Sequence, residues 1–139
     1  MKKIAFLLPL FFTLLSCEIE GELTRKPEQA AAIPENTLPA FTGDFMPTSG
    51  INVNGSAKIY LNANQNEVRL ENFSISNGPD LKVYLSKTDK PTDFVTLGNL
   101  TSATIYKIPS QVDVSVYKYV LIHCQQYNHL FAIAQLSKN

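Results

Sequence analysis

Seven short runs of strand-forming residues, at 56–61, 67–73, 81–86, 93–98, 104–108, 119–124 and 131–136, constrain this chain more than any other feature. Each is five to seven residues long and rich in Val, Ile, Tyr and Phe. Each either alternates apolar with polar residues or is apolar throughout, as strands buried on one or both faces do. Turn-forming clusters separate them: VNGS, NANQN, SNGPD, KTDKPTD, GNLTS, PSQVD and QQYNH. Strands joined by such short connections pair antiparallel, because a parallel crossover needs a dozen residues or more. The expectation is an all-β domain, an antiparallel β-sandwich of about seven to eight short strands. The rival pattern is one long buried helix over 112–136. Its β-branched density and the polar break from Gln125 to His129 disfavour that.

The strands occupy only the last hundred or so residues. Ahead of them, Lys2 and Lys3 precede an apolar run from Ile4 to Leu15, the order of a secretory signal and too short for a comfortable bilayer span. The run closes on Leu14-Leu15-Ser16-Cys17, which resembles a bacterial lipobox, cleaved before a cysteine that receives lipid. Residues 1–16 are therefore expected to be a lipoprotein signal peptide and Cys17 the lipid attachment site. Several acyl chains, at about 0.8 kcal/mol per buried methylene, would hold the protein stably to a bilayer. Residues 17–40 are rich in Pro, Ala and Glu without an apolar period, as expected of a flexible tether. Glu18, Glu20 and Glu22 follow the cysteine and resemble acidic export signals of some outer-membrane lipoproteins; a solvated acidic linker explains them equally well. The localisation expected is the cell envelope, as an outer-membrane lipoprotein facing the periplasm or the exterior. Residues 41–139 are left as one folded domain.

Charge and cysteine content narrow the function. Removing the signal takes two lysines and no acid, so twelve basic against twelve acidic residues become ten against twelve. That balance argues against a nucleic-acid partner, which requires a basic stripe. Once Cys17 is acylated, Cys124 has no intramolecular partner. A single thiol in an exported protein is either reactive or a small core hydrophobe. Period two places Leu81, Val83 and Leu85 on one face of their strand, and Val120, Ile122 and Cys124 on one face of theirs. His123 then points away from Cys124. Because Cys124 closes an apolar strand before the polar QQYNH, it is expected at the edge of the core, partly accessible, with His129 across the loop.

The run FTGDF, GSAKIYL, EVRLENFSISNGPDLKVYLS, DFVTLGNL, YKIP and VDVSVYKYVLIHCQQYNHLFAIAQL resembles the DM-thirteen domain, found beside DOMON domains in Skeletor-type proteins. The resemblance covers the whole of the expected domain. It implies a β-sandwich and a redox or electron-transfer role centred on the cysteine that matches Cys124. It also marks a departure, because the family usually places an aromatic residue, typically Trp, where this chain has His123. The same stretch draws attention to Asp80 at the end of SNGPD. Asp80 is either a turn cap or a carboxylate set near Cys124. Alone it would disfavour a thiolate, so a cation such as His129 or Lys82 would also be needed.

Cys124 and His129 also have the spacing of a copper loop in some cupredoxins, with Gln125 or Gln126 as a poor further ligand. A second well-placed histidine and a following methionine are lacking, so no metal is expected. The cofactor is left open, since no haem-attachment motif is present. No arrangement for hydrolysis stands out. Enzymatic turnover is not implied; the alternative to a redox module is a binding or adhesion module in which Cys124 is core and the tyrosine-bearing face meets a protein partner.

Overall fold

The computed structural model describes residues 37–139. The expectations for the signal peptide, for Cys17 and for almost all of the tether lie outside the described residues. Nine strands and one short 3-10 turn make up the domain: β1 (Phe41–Pro47), β2 (Val53–Tyr60), β3 (Glu67–Ile75), β4 (Leu81–Ser86), β5 (Phe94–Asn99), β6 (Ile105–Lys107), the turn Val114–Val116, β7 (Tyr119–Cys124), β8 (His129–Gln135) and β9 (Ser137–Lys138). Every pairing is antiparallel, in the order β5-β4-β7-β8-β1-β2-β3-β6, with β9 also on β1.

The strand that converts one sheet into two layers is β1. Its first half pairs with β2, from Phe41↔Ile59 to Asp44↔Ser56, and its second half pairs with β8, from Phe45↔Ala134 to Pro47↔Ala132. The result is an antiparallel β-sandwich whose layers share a strand, nearly closed into a barrel. Its remaining seam lies between β5 and β6, where the Tyr106 ring packs by Gly98.

Alternation selects the core. Ile59 and Ala57 from β2, Val68 and Leu70 from β3, Val83 and Leu85 from β4, and Val120 and Ile122 from β7 meet between the layers. Each fully buried aliphatic side chain contributes about 1.5–3 kcal/mol. The register Leu81↔Cys124, Val83↔Ile122, Leu85↔Val120 puts the two expected apolar faces together.

The outer faces differ. On β2 and β3, Lys58 pairs with Glu71, Tyr60 donates to Glu71 at 3.1 Å, and Arg69 lies over the Tyr60 ring and bonds Glu67 at 2.6 Å. On β4 and β7 the outer positions Tyr84, Ser86, Leu121 and His123 are buried as well. The Ser86 hydroxyl is satisfied by the carbonyls of Lys90 and Asp93.

One turn expectation is corrected. Asn54-Gly55 lies inside β2, where Gly55 (φ +100°) forms a bulge between Asn54 and Ser56. A Cβ there would lie 2.5 Å from the Glu71 carbonyl oxygen, so glycine is required by close backbone approach rather than by a chain reversal.

Candidate functional site

The connections flanking β4 and β7 converge at one end of the sandwich. There Leu81 opens β4 and Cys124 closes β7, directly opposite each other. The next residue, Gln125, donates its backbone N–H to the carbonyl of Asp80 at 2.9 Å. Asp80 and Cys124 are therefore neighbours through their backbones. Their side chains diverge: the Asp80 carboxylate shares a face with Lys82 and pairs with its ammonium at 2.7 Å, while Cys124 points into the core. Lys82 also donates to the Asn99 side chain. No side-chain hydrogen bond of Asp80 to the turn backbone is formed among the described residues, so the turn is not capped by that carboxylate.

His129 lies opposite Cys124 as the first residue of β8, across the Gln125–Asn128 turn, which closes through the Asn128 N–H to the Gln125 carbonyl and puts Asn128 at φ 49°. Its ring stands edge-on to Phe131, with centroids 5.4 Å apart. Phe131 is the extra residue of a bulge: Ile122 pairs with Ala132 and His123 with Leu130. The bulge lets Phe131 and Ala132 both face the core, so the Phe131 ring covers the end where the thiol lies. Gly78 packs over the same place, since a Cβ on it would stand 2.7 Å from Leu81 Cδ2 and 3.0 Å from Phe131 Cζ. The SNGPD turn needs a glycine there because a side chain would strike this apolar cover.

Cys124 is thus 0% exposed, not at a partly accessible edge. Strand position alone suggested an end; Leu81, Phe131 and Gly78, distant in sequence, seal it. Among the described residues no polar group hydrogen-bonds its sulfur, and no three His, Cys, Asp or Glu side chains are grouped to hold a metal ion. An open groove of ≈ 380 Å³ runs outside the seal, lined by 75–81 and 99–101, with Leu81 between it and the thiol.

His123 is the residue whose surroundings the sequence did not convey. It faces away from Cys124 as expected, yet it is only 5% exposed and its Nδ1 has no hydrogen-bond partner. Its ring stacks on Tyr84 at 5.5 Å, and Tyr84 stacks on Phe94 at 4.1 Å. Burial pushes the His123 pKa below its ordinary value, Asn128 opposes that, and His129 adds to it. Burial also raises the Tyr84 phenol. The alternation of Tyr84 and His123 with core residues was the available signal.

The family model described as electron transfer DM13 matches residues 46–136, which span every residue of this site. The chain belongs to the DM13 family. The redox-related role expected from the resemblance follows at the level of the family, and the DM13 residues that it placed in doubt or in view, His123 and Cys124, are adjacent in β7. No curated protein and no solved structure matches the chain.

Proposed function

We propose that this DM13 domain is an electron-transfer module in which Cys124 is the redox centre, held at the cell envelope by an acylated Cys17. The observation that carries the reading is the position of Cys124: the family match spans it, and it terminates β7 at the end where Asp80, His129 and the SNGPD turn meet. Its burial shapes the chemistry. A thiol with no solvent access and no polar partner is out of reach of a substrate while the seal is closed, so it is not a standing nucleophile. Removal of an electron by a one-electron acceptor must be accompanied by loss of the thiol proton, and His129, paired with Cys124 in register, is the base positioned to receive it once the seal moves. Asp80 and Lys82 neutralise each other and serve to hold the entry of β4.

The test is electron exchange with soluble one-electron mediators, followed by voltammetry, for the parent protein and Cys124→Ala. A redox wave present in the parent and absent from a folded Cys124→Ala protein supports the reading. An unchanged wave, or none in either, overturns it.

The complete burial of Cys124 in the apolar cluster favours a second reading, a binding or adhesion module of the envelope with a structural cysteine. It expects Cys124→Ala to keep all partner binding and the parent to show no wave.

A further inference from the structure

A redox thiol under an apolar seal needs a way to be reached, and the residue beside it supplies one. The segment His123–Leu130 lies beyond the Ile122/His123 bulge, where the ladder between β7 and β8 is interrupted. Only two register pairs, His123↔Leu130 and Cys124↔His129, join its two arms. Its ties to β4 are Lys82↔His123, Leu81↔Cys124 and the Gln125–Asp80 bond. On the inner side of the bulge the chain is firmly held: the Phe131 carbonyl accepts from the Thr48 N–H at 3.0 Å and from its hydroxyl at 3.1 Å, and the Thr48 hydroxyl also donates to the Leu130 carbonyl. The hairpin tip is therefore a small unit hinged at a fixed point.

We propose that His123 is an acid-operated latch on Cys124: the neutral imidazole keeps the hairpin tip packed, and protonation at Nδ1 releases residues 123–129 and opens the thiol to solvent. The inference rests on the redox reading for its purpose, though not for its physics. A buried imidazole with an orphan nitrogen is unfavourable even when neutral, and a buried imidazolium is more so. The charged groups facing His123 do not welcome a cation. From β4, Lys82 is directly opposite and its charge is balanced by Asp80. Tyr84 offers a neutral ring and His129 of β8 a further repulsion; the Asn128 side chain alone favours the cation, by hydrogen bonding, and burial outweighs it. Burial already holds the ring below the ordinary histidine range, so solvent is where it gains a proton.

Linkage sets the size of the effect. Because the open form takes up the proton more readily than the closed form, the opening constant rises as the pH falls, by at most about tenfold between one unit above and one unit below the ordinary histidine value of about 6.5.

The experiment is labelling of Cys124 in the full chain by an organomercurial, which binds thiols without prior ionisation, read by peptide mapping so that only Cys124 is scored. The rate should rise up to about tenfold across that window, and the rise should vanish in His123→Phe and His123→Gln but survive in His129→Ala. Amide protection factors at Ile59 and Val68, with the intrinsic pH dependence of exchange divided out, should stay above those of residues 123–129 throughout the range. A flat parent profile, a slope retained in both His123 variants, a slope lost in His129→Ala, or protection at residues 123–129 equal to that at Ile59 and Val68, which would make the opening global, would overturn the latch. Voltammetry of Cys124→Ala decides the redox reading separately: acid-dependent labelling with an unchanged wave leaves the latch standing and removes the electron-transfer role of the thiol.

Discussion

Replacing Gly78 by alanine probes the seal over Cys124 with one methyl group. Its Cβ would meet Leu81 Cδ2 at 2.7 Å, Leu81 Cγ at 3.0 Å and Phe131 Cζ at 3.0 Å. The first distance lies below any tolerable carbon–carbon approach, so Leu81 must turn. A side chain pushed about 30° off its rotamer costs about 0.5–1.5 kcal/mol, and overpacking a site of this kind costs about 1–3 kcal/mol in all. Phe131 has little room to yield, since its ring meets His129 on one side and its backbone is fixed by Thr48. Urea denaturation should show Gly78→Ala destabilised by about 1–3 kcal/mol with an unchanged slope. Shortening Leu81 to valine should recover part of that loss, so the two substitutions should be non-additive in a double-mutant cycle. Displacement of Leu81, which faces Cys124, should also speed native labelling of the thiol. Gly50→Ala is the comparator: Gly50 has φ +80° with no atom near its absent Cβ, so it should cost about 1 kcal/mol and leave the thiol protected. Additive behaviour of Gly78→Ala with Leu81→Val, or a Gly78→Ala protein as stable and as protected as the parent, would refute the seal.

Ile122→Ala should cost about 2–5 kcal/mol by chemical denaturation. Lys82→Ala, which loses a partly exposed ion pair with Asp80, should cost about 1 kcal/mol or less, and a reversal of that order would contradict the face assignment. Glu71 is held below its ordinary value of 4.5, first by the Lys58 hydrogen bond, so its contribution is present above that pH and lost as the pH falls through the folded value. Glu71→Gln should flatten this acid limb in stability measured against pH. His123→Phe should raise stability by about 1 kcal/mol at neutral pH by removing an orphan nitrogen. It should also abolish the decline that sets in below about 6.5, where the unfolded chain binds the proton that the folded ring refuses. Cys17→Ala should move the protein out of the membrane fraction with the domain still folded, and fractionation that does not change would remove the lipid anchor.

Period two was sufficient for β4 and β7, whose bounds, inner faces and mutual apolar surfaces could be read from 81–86 and 119–124. It did not extend to β1, because Gly43, Asp44 and Pro47 disguise a strand whose job is to pass between layers. Gly43 is needed there for packing, as a Cβ would lie 2.3 Å from the Gln135 carbonyl oxygen. Asn54-Gly55 carries a hairpin signal, yet the backbone of β3 comes so close that the pair becomes a bulge. At the site, the sequence placed Cys124 at a strand end and turned His123 away from it. It could not show that Phe131, brought inward by a bulge, and Gly78, from another connection, close over the thiol. Nor could it show an imidazole buried without a partner, since that depends on Tyr84 from a strand some forty residues away.

The entry of the chain into β1 has a mechanical consequence. Asn139 donates its backbone N–H to the Ala40 carbonyl and its side-chain amide to Pro39 and Thr42, and β9 pairs with the beginning of β1. A pull applied ahead of residue 37 would therefore first meet this clamp and the β1–β2 ladder, loaded together along the strand direction rather than peeled one bond at a time. Only after they shear would tension pass along β1 to its pairing with β8, and from there to the hairpin that carries Cys124. Force entering at the start of β1 would thus be spent in the layer remote from the thiol, leaving the β4–β7 layer the last to feel it.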